Sequence, residues 1–377
     1  VVVMIVVLSQ FMQDSGDTQR IVTELRHVLR SVRLRMAALP AIIGLLPMPG
    51  GAVFSAPMVD ACDTASELDP ARKSVINYWF RHIWEYWWPL YPGVILAFKY
   101  SGLEFWQFAA VQMPLTVVSA GAGGVFLLRG LRVSKTVDLD GSSGKKGAFL
   151  HPLVPVILTV GGTLVLTLAQ KYIRYVFQNN TLHGLVDIFF SNRMVPISLA
   201  IIPAILWMHF QRGVAFSVWR NIARDKKIWG FMLLVAGISI FSHMLQSEMA
   251  SGSIVERVRA DLEMMNISIV GMAFLIPFLS GLVIGIAFGF VGASFPIVMA
   301  LVADREPVEI MAFTVLAYGS GYMGMLLSPV HVCFLVTNEY FSTRLSSAYR
   351  YLVKPVIVVL GFTFLLFFLI TVFFAKG

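Results

Sequence analysis

Two apolar stretches of this 377-residue chain are broken by glycine and proline at matching places, and few folds tolerate such a pattern. Residues 39–59 read LPAIIGLLPMPGGAVFSAPMV, and residues 276–302 read IPFLSGLVIGIAFGFVGASFPIVMALV. Each follows an amphipathic segment opened by Ser-Gly: Ser15-Gly16 precedes Thr18 to Arg35, and Ser251-Gly252, 236 residues later, precedes Ser253 to Asn266. Backbone freed by glycine or proline in hydrocarbon must be satisfied by protein or by a wet cavity. Paired interruptions at corresponding places of two halves point to the binding site of a secondary transporter.

Composition places those stretches in a membrane. Hydrophobic residues make up 57% of the chain and charged residues 13%, with a mean hydropathy of +0.77; a soluble domain carries about 25% charged residues. Runs such as Ile228 to Met244 and Val356 to Ala375 approach the ~20 residues a spanning helix needs. The net charge of +8 fits lysines and arginines kept on a cytoplasmic face better than nucleic-acid binding. Cys62 and Cys333 show no CxxC spacing, so they read as packed thiols rather than a disulfide or zinc site. Val1 to Met12 reads as the end of a spanning helix, and the chain is expected to lack its natural N-terminus and the spans before it.

Charge also assigns the loops to faces. With residues 36–62 and 268–302 as re-entrant hairpins, spans fall at 74–98, 103–128, 148–170, 193–210, 228–248, 308–340 and 351–375. Loops 13–35, 63–73, 129–147, 211–227 and 341–354 then hold 20 of the 29 lysines and arginines; the opposite loops hold 8, and Arg81 alone falls within a span. The richer face is cytoplasmic. The first hairpin thus enters from the cytoplasm, the second from outside, and the C-terminus lies outside. The expected fold is an all-α polytopic membrane protein of two inverted-topology repeats, each with a re-entrant helical hairpin and a discontinuous transmembrane helix. Residues 1–128 form the first repeat, 129–147 a turn-rich cytoplasmic linker, and 148–377 the second.

The span after each hairpin is itself interrupted, by Pro89 and Pro92 in NYWFRHIWEYWWPLYPG and by Gly319, Gly321, Gly324 and Ser328-Pro329 in LAYGSGYMGMLLSPVHVCFL. Half-helix N-termini present N–H groups to anions, and carbonyl ends suit sodium. Asn77, Arg81, Glu85 and Trp88 fall on one helical face, with Tyr78, His82 and Tyr86 beside them. Arg81 and Glu85 either neutralise each other one turn apart or serve function: Arg81 attracts an anion or holds a hairpin tip, and Glu85 or His82 joins proton coupling. Trp79, Trp84, Trp87 and Trp88 read as an interfacial aromatic belt.

The expected hairpin tips are Pro47 to Gly51, including Pro49 and Gly50, and Gly289 to Ser294, including Gly292. Glycine there permits close backbone approach to a ligand, and Ser55 and Ser294 add hydroxyls where the return helices begin. Gly281 and Gly285 read as close-packing glycines. Ser320, Gly321, Ser328 and His331 complete the candidate binding set at the second interruption, where His331 is either a ligand or a hydrogen-bonded structural histidine. Asn338 and Glu339 read as interfacial. The chain carries no Walker A, HExxH or GxSxG motif, so ATP-driven transport and enzymatic function have no sequence support. No cofactor is expected beyond Na+ or H+ as a coupling ion, with Na+ placed at the hairpin tips.

With LPMPGGAVFSAPMV, NYWFRHIWEYWWPLYPG and GYMGMLLSPVHVCFLVTNEYF on the page, the chain resembles an integral-membrane domain-of-unknown-function family of bacteria and archaea, grouped with the ion transporter superfamily of gluconate, dicarboxylate and citrate carriers and arsenite permeases. The resemblance implies inverted repeats, broken helices, a homodimer formed through a scaffold region and residence in the cytoplasmic membrane. It also implies transport of an anion, often organic, with sodium or protons. The Ser-Asn-Thr hairpin signatures of the sodium/dicarboxylate branch are absent, so that branch's substrate and stoichiometry do not carry over. The expected function is a cation-coupled secondary transporter of a small, carboxylate-bearing anion, with elevator-type alternating access. Its partners are that substrate and membrane lipid. The alternatives are an uncoupled channel or exporter of the same architecture and a membrane enzyme or assembly factor handling a lipid-like substrate.

Overall fold

The computed structural model describes residues 1–45 apart from 18, 22, 23, 25–28 and 30, residues 51–131 apart from 64–67, and residues 150–177. It further describes 194–246 apart from 214 and 215, 248–249, 252–253, 257, 260–261, 264–265 and 267–373. The described architecture is helical, apart from a two-residue antiparallel pair, Glu248–Met249 with Gly252–Ser253.

In chain order the helices are α1 (Val2–Asp14), α2 (Val32–Ile43), α3 (Gly51–Asp60), α4 (Pro70–Arg81), α5 (Pro92–Ser101) and α6 (Phe105–Gly123), which closes in a π-turn at Gly124–Leu128. They continue as α7 (Leu150–Phe177), α8 (Val195–Gln211), α9 (Phe216–Arg224), α10 (Lys226–Gln246) and α11 (Ile269–Ile284). The last four are α12 (Ala287–Leu301), α13 (Pro307–Leu326), α14 (Val332–Tyr340) and α15 (Leu345–Phe373). Among the described residues, three stretches are long and apolar enough to cross a membrane: Phe105–Leu128, His151–Ile173 and Leu345–Phe373. The chain has the build of a membrane protein.

Local sequence explains the starts. The Asp69 carboxylate accepts from the Ala71 amide at 2.9 Å with Pro70 in the first turn of α4, the arrangement that satisfies an orphan N–H and spares proline's missing one. Pro92 and Pro307 occupy the same place in α5 and α13. Glu104 and Gln107 form a capping box on α6.

The chain divides into two compact units that do not follow the two sequence halves. One comprises Val1–Arg30, Leu46–Met48 and Val137–Leu233, the other Ser31–Leu45, Pro49–Thr136 and Leu234–Gly377. In the first unit α8 packs on both α7 and α1. Fully buried Asp17 pairs with Arg212 at 2.7 Å. Leu164, Val165, Leu168, Tyr172 and Tyr175 project from α7 more than half exposed.

The second unit holds one element order twice. A helix pair (α2 and α3, then α11 and α12) leads to a helix that stops (α4, then α13), a break, a short helix (α5, then α14) and a long apolar helix (α6, then α15). The packing is reciprocal. Within each copy, α2 packs on α4 and α11 on α13; between copies, α3 packs on α14 and α12 on α5. Small residues permit the closest approaches: a Cβ on Gly281 would fall 2.7 Å from the Met325 amide, and one on Gly93 2.8 Å from the Ala287 methyl.

The second pair turns earlier than its sequence suggests. Gly285 adopts a left-handed φ of 68° at the end of α11, and α12 starts two residues later. Gly289, Gly292 and Ser294 therefore lie inside α12 rather than at a tip. Glycines spaced by three do not break a helix when each faces a neighbour that fills the space of its missing Cβ: Gly289 faces the Ile284 side chain and Gly292 that of Ile238. Of the first expected tip, residues 47–50, including Pro49 and Gly50, lie outside the described residues. The amphipathic segment at 253–266 falls largely outside them too.

A candidate anion site where two broken helices meet

Each break frees carbonyls, and the other broken helix satisfies them. The α4 helix ends at Arg81, and residues 82–91 run as turns. From α13, Tyr322 donates to the His82 carbonyl at 2.7 Å and Tyr318 to that of Glu85 at 2.6 Å. In return, Tyr78 of α4 donates to the Leu326 carbonyl at 3.1 Å, and Tyr349 donates to that of Leu327 at 2.7 Å. All of Tyr78, Tyr318 and Tyr322 are fully buried. A buried carbonyl without a partner costs about 1–3 kcal/mol, so these hydroxyls hold both breaks open as defined structures.

The tryptophans do related work, which corrects the expectation of an interfacial belt. Trp84 and Trp88 donate to the Ala41 and Leu45 carbonyls at the end of α2, at 2.9 and 3.0 Å, and Tyr91 donates to the Gly44 carbonyl. Trp79 donates to the Ser119 carbonyl and Trp87 to the Thr116 hydroxyl on α6. The last turn of a helix leaves carbonyls unsatisfied. Here indole N–H groups from the first break cap α2 and tie it in place.

Arg81 sits at the centre, 3% exposed. A Cβ on Gly51, the first residue of α3, would fall 3.0 Å from its guanidinium carbon, so the guanidinium lies directly against the start of α3. Its Nη1 lies 3.4 Å from the Cys333 sulfur in the first turn of α14. One guanidinium therefore faces the N-terminal turns of two helices, α3 and α14. Helix N-termini carry partial positive charge, and three positive groups converging in a buried place favour an anion among them.

Beside Arg81, His82 donates from Nδ1 to the Tyr78 carbonyl at 2.6 Å, because a carbonyl can only accept; Nδ1 is therefore the protonated nitrogen. Its Nε2 lies 3.2 Å from His331 Nε2 and 3.8 Å from Glu85 Oε1. Because α4 ends at Arg81, Glu85 does not stack one turn above it as a helical pair would. Its carboxylate instead points toward the histidines and within hydrogen-bond reach of Tyr91. Asn77, fully buried, donates to Ala52 O at 3.4 Å and Thr337 Oγ1 at 3.2 Å, while its Oδ1 lacks a donor.

The fold thus brings Gly51, Asn77, Arg81, His82, Glu85 and His331 into one neighbourhood. Ser328 joins at its edge: its Oγ would lie 2.8 Å from a Cβ on Gly285. Gly285 thus meets the second break directly and is more than a packing glycine. Ser55 is buried in α3 but spends its hydroxyl on the Gly51 carbonyl at 3.2 Å, and Ser294 spends its own on Phe290 at 2.6 Å. Ser320 likewise bonds within α13, to Ala317, and Gly321 packs against Phe290 and Pro277. Asn338 is buried rather than interfacial and accepts from Ser74 at 3.0 Å. Sequence reasoning missed Cys333, Tyr91, Tyr318 and Tyr322; His331-Val332-Cys333 adjacent to a proline break was the available signal for the first.

A family model described as "Protein of unknown function (DUF401)" matches residues 1–183 and 185–371. The chain belongs to this family. Among curated proteins none matches it. For this DUF401 member the chemistry must therefore be argued from the site, where one buried arginine, two histidines, a carboxylate and two helix N-termini converge.

Proposed function

We propose that the chain is a secondary active transporter of a small, carboxylate-bearing anion, coupled to Na+ or H+ and working by alternating access. The observation that carries this reading is Arg81: a buried guanidinium set against the N-terminal turns of α3 and α14, two short helices that begin at interruptions. A guanidinium and helix N-termini set together attract an anion. The doubled element order and the exchange of partners between copies support an inverted repeat, with α2–α3 and α11–α12 as re-entrant hairpins. The resemblance to ion transporter superfamily carriers agrees with this.

For coupling, Asn77 Oδ1, the Ala52 carbonyl and the Thr337 hydroxyl offer the hard oxygens a sodium ion takes; Glu85 with His82 is the corresponding route for a proton. The second unit would carry the substrate, and the first, with the apolar side chains that project from α7, would be the scaffold of a homodimer in a bacterial or archaeal cytoplasmic membrane, C-terminus outside. Lipid would cover the exposed apolar flank of α15, including Ile357 and Phe368.

A thermal-shift screen of carboxylates and inorganic oxyanions, with and without sodium, identifies the substrate class; Arg81→Gln should abolish the stabilisation by whichever anion scores. Stabilisation unchanged in that variant would reject the site. Proteoliposome uptake indifferent to imposed sodium and proton gradients would reject coupling and leave the uncoupled channel.

A further inference from the structure

The sequence treats Cys333 as an ordinary thiol, but the fold places it in a ligand set. His82, His331 and Cys333 offer donor atoms that all lie within 4.8 Å of one another. The three come from the two breaks: His82 follows the end of α4, His331 caps α14, and Cys333 sits in its first turn. The proposal stands on this geometry and does not depend on anion transport.

We propose that His82 Nε2, His331 Nε2 and Cys333 Sγ bind a borderline-soft transition-metal ion of the Zn2+ class, with the Glu85 carboxylate as fourth ligand. Two imidazole nitrogens each about 2.0 Å from a tetrahedral ion stand about 3.3 Å apart, and these two stand 3.2 Å apart. A sulfur at its usual bond length would stand about 3.6 Å from each nitrogen, and the Cys333 sulfur stands within 4.8 Å of both. Glu85 Oε1 lies 3.8 Å from His82 Nε2 and would have to move inward to complete the set.

The surroundings match what metal-binding histidines require. A ligating imidazole usually donates its other N–H to a carbonyl or carboxylate, which fixes the tautomer and aims the lone pair. His82 does so through Nδ1 to Tyr78 O at 2.6 Å, leaving Nε2 as a bare acceptor. His331 Nδ1, buried without a well-formed hydrogen bond, faces the Gly285 backbone. The Tyr78 ring wedges both imidazoles from one side, with centroids 4.7 and 5.3 Å away. Arg81 Nη1 lies 3.4 Å from the sulfur. On binding, the thiol gives up its proton to solvent as the metal–sulfur bond forms. Cys333 is half-buried, with Val330 and Val332 about half exposed beside it.

Cobalt(II) added to the metal-free, detergent-solubilised full chain tests this directly, because a thiolate ligand gives a sulfur-to-cobalt charge-transfer band. The expected result is such a band saturating at one equivalent, lost on adding Zn2+, absent in Cys333→Ser and retained in Cys62→Ser. His331→Gln should weaken cobalt binding at least tenfold; it is the second variant in case His82→Gln, which removes the Tyr78 contact, fails to fold. No band at saturating cobalt in protein that elutes as a single folded species would overturn the proposal. So would a band that survives Cys333→Ser. Anion-dependent thermal stabilisation, measured on the same metal-free protein, scores the transport reading separately.

Discussion

The two breaks occupy equivalent places in a repeated element order yet differ in what they hold. The first runs ten residues, His82 to Tyr91, and its flanks carry Arg81, Glu85, three aromatic caps for α2 and both carbonyls that α13 must satisfy. The second runs five residues, Leu327 to His331, and contributes Ser328, His331 and the start of α14. An equal pair would give two similar half-sites. The difference gives one charged centre, with the second break acting as its wall. What the doubled element order supplies is two interruptions facing each other; what side chains supply is the charge that sets the first apart.

That contrast makes Arg81 the largest lever. Arg81→Gln removes the positive charge set against both helix N-termini, and loss of one partner in a buried charged contact costs about 3 kcal/mol, roughly a hundredfold in affinity. Anion titrations followed by thermal shift should register that loss, whereas Ser328→Ala in the second break should shift affinity less than tenfold. A comparable loss from Ser328→Ala would mean the breaks share the charge-binding work and would remove the distinction. The next effect is on stability. Tyr322→Phe strips the hydroxyl from a fully buried carbonyl and should cost about 1–3 kcal/mol, seen as a lower melting temperature in detergent. Tyr349→Phe, which caps the second break from a partly buried place, should cost less. Equal losses would show that both breaks are held equally tightly.

Much of this was legible before the fold was known, and what was not has a physical reason. Arg81, Glu85 and His82 stand out because ionisable groups in an apolar run are costly and need a reason. The breaks followed from Pro89, Pro92 and Pro329. The turn of the second helix pair was misplaced because glycine content cannot distinguish a left-handed residue from one admitting a neighbour: Gly285 is the first kind, Gly289 and Gly292 the second. The tryptophans looked like a belt because composition cannot see that an indole N–H reaches a helix-terminal carbonyl some forty residues earlier. The Cys333 cluster joins residues 249 apart in sequence, a pairing created only when the breaks meet.

Glycine gives a smaller test of the same asymmetry. Gly285→Ala forces a left-handed φ of 68° on a residue with a Cβ and drives that Cβ to 2.8 Å from Ser328 Oγ. Gly16→Ala meets the same backbone cost, φ 72°, with open space around it. The first should be the more destabilising by at least about 1 kcal/mol, the crowding increment; equal melting temperatures would mean the α11–α12 turn is not pressed against the second break. The smallest expected effect is also the one that separates pattern from structure most sharply. Ser55 and Ser294 occupy matching places after the two apolar interruptions, and by pattern alone both belong to the binding set. Both hydroxyls are engaged within their own helices, to Gly51 and Phe290, and a hydroxyl that back-bonds to its own helix contributes little. Ser55→Ala and Ser294→Ala should each change stability by no more than about 0.5 kcal/mol and leave anion affinity unaltered. A drop in affinity confined to Ser55→Ala would instead place α3's first turn in direct contact with the anion, and extend the charged centre from the first break into the helix pair that precedes it.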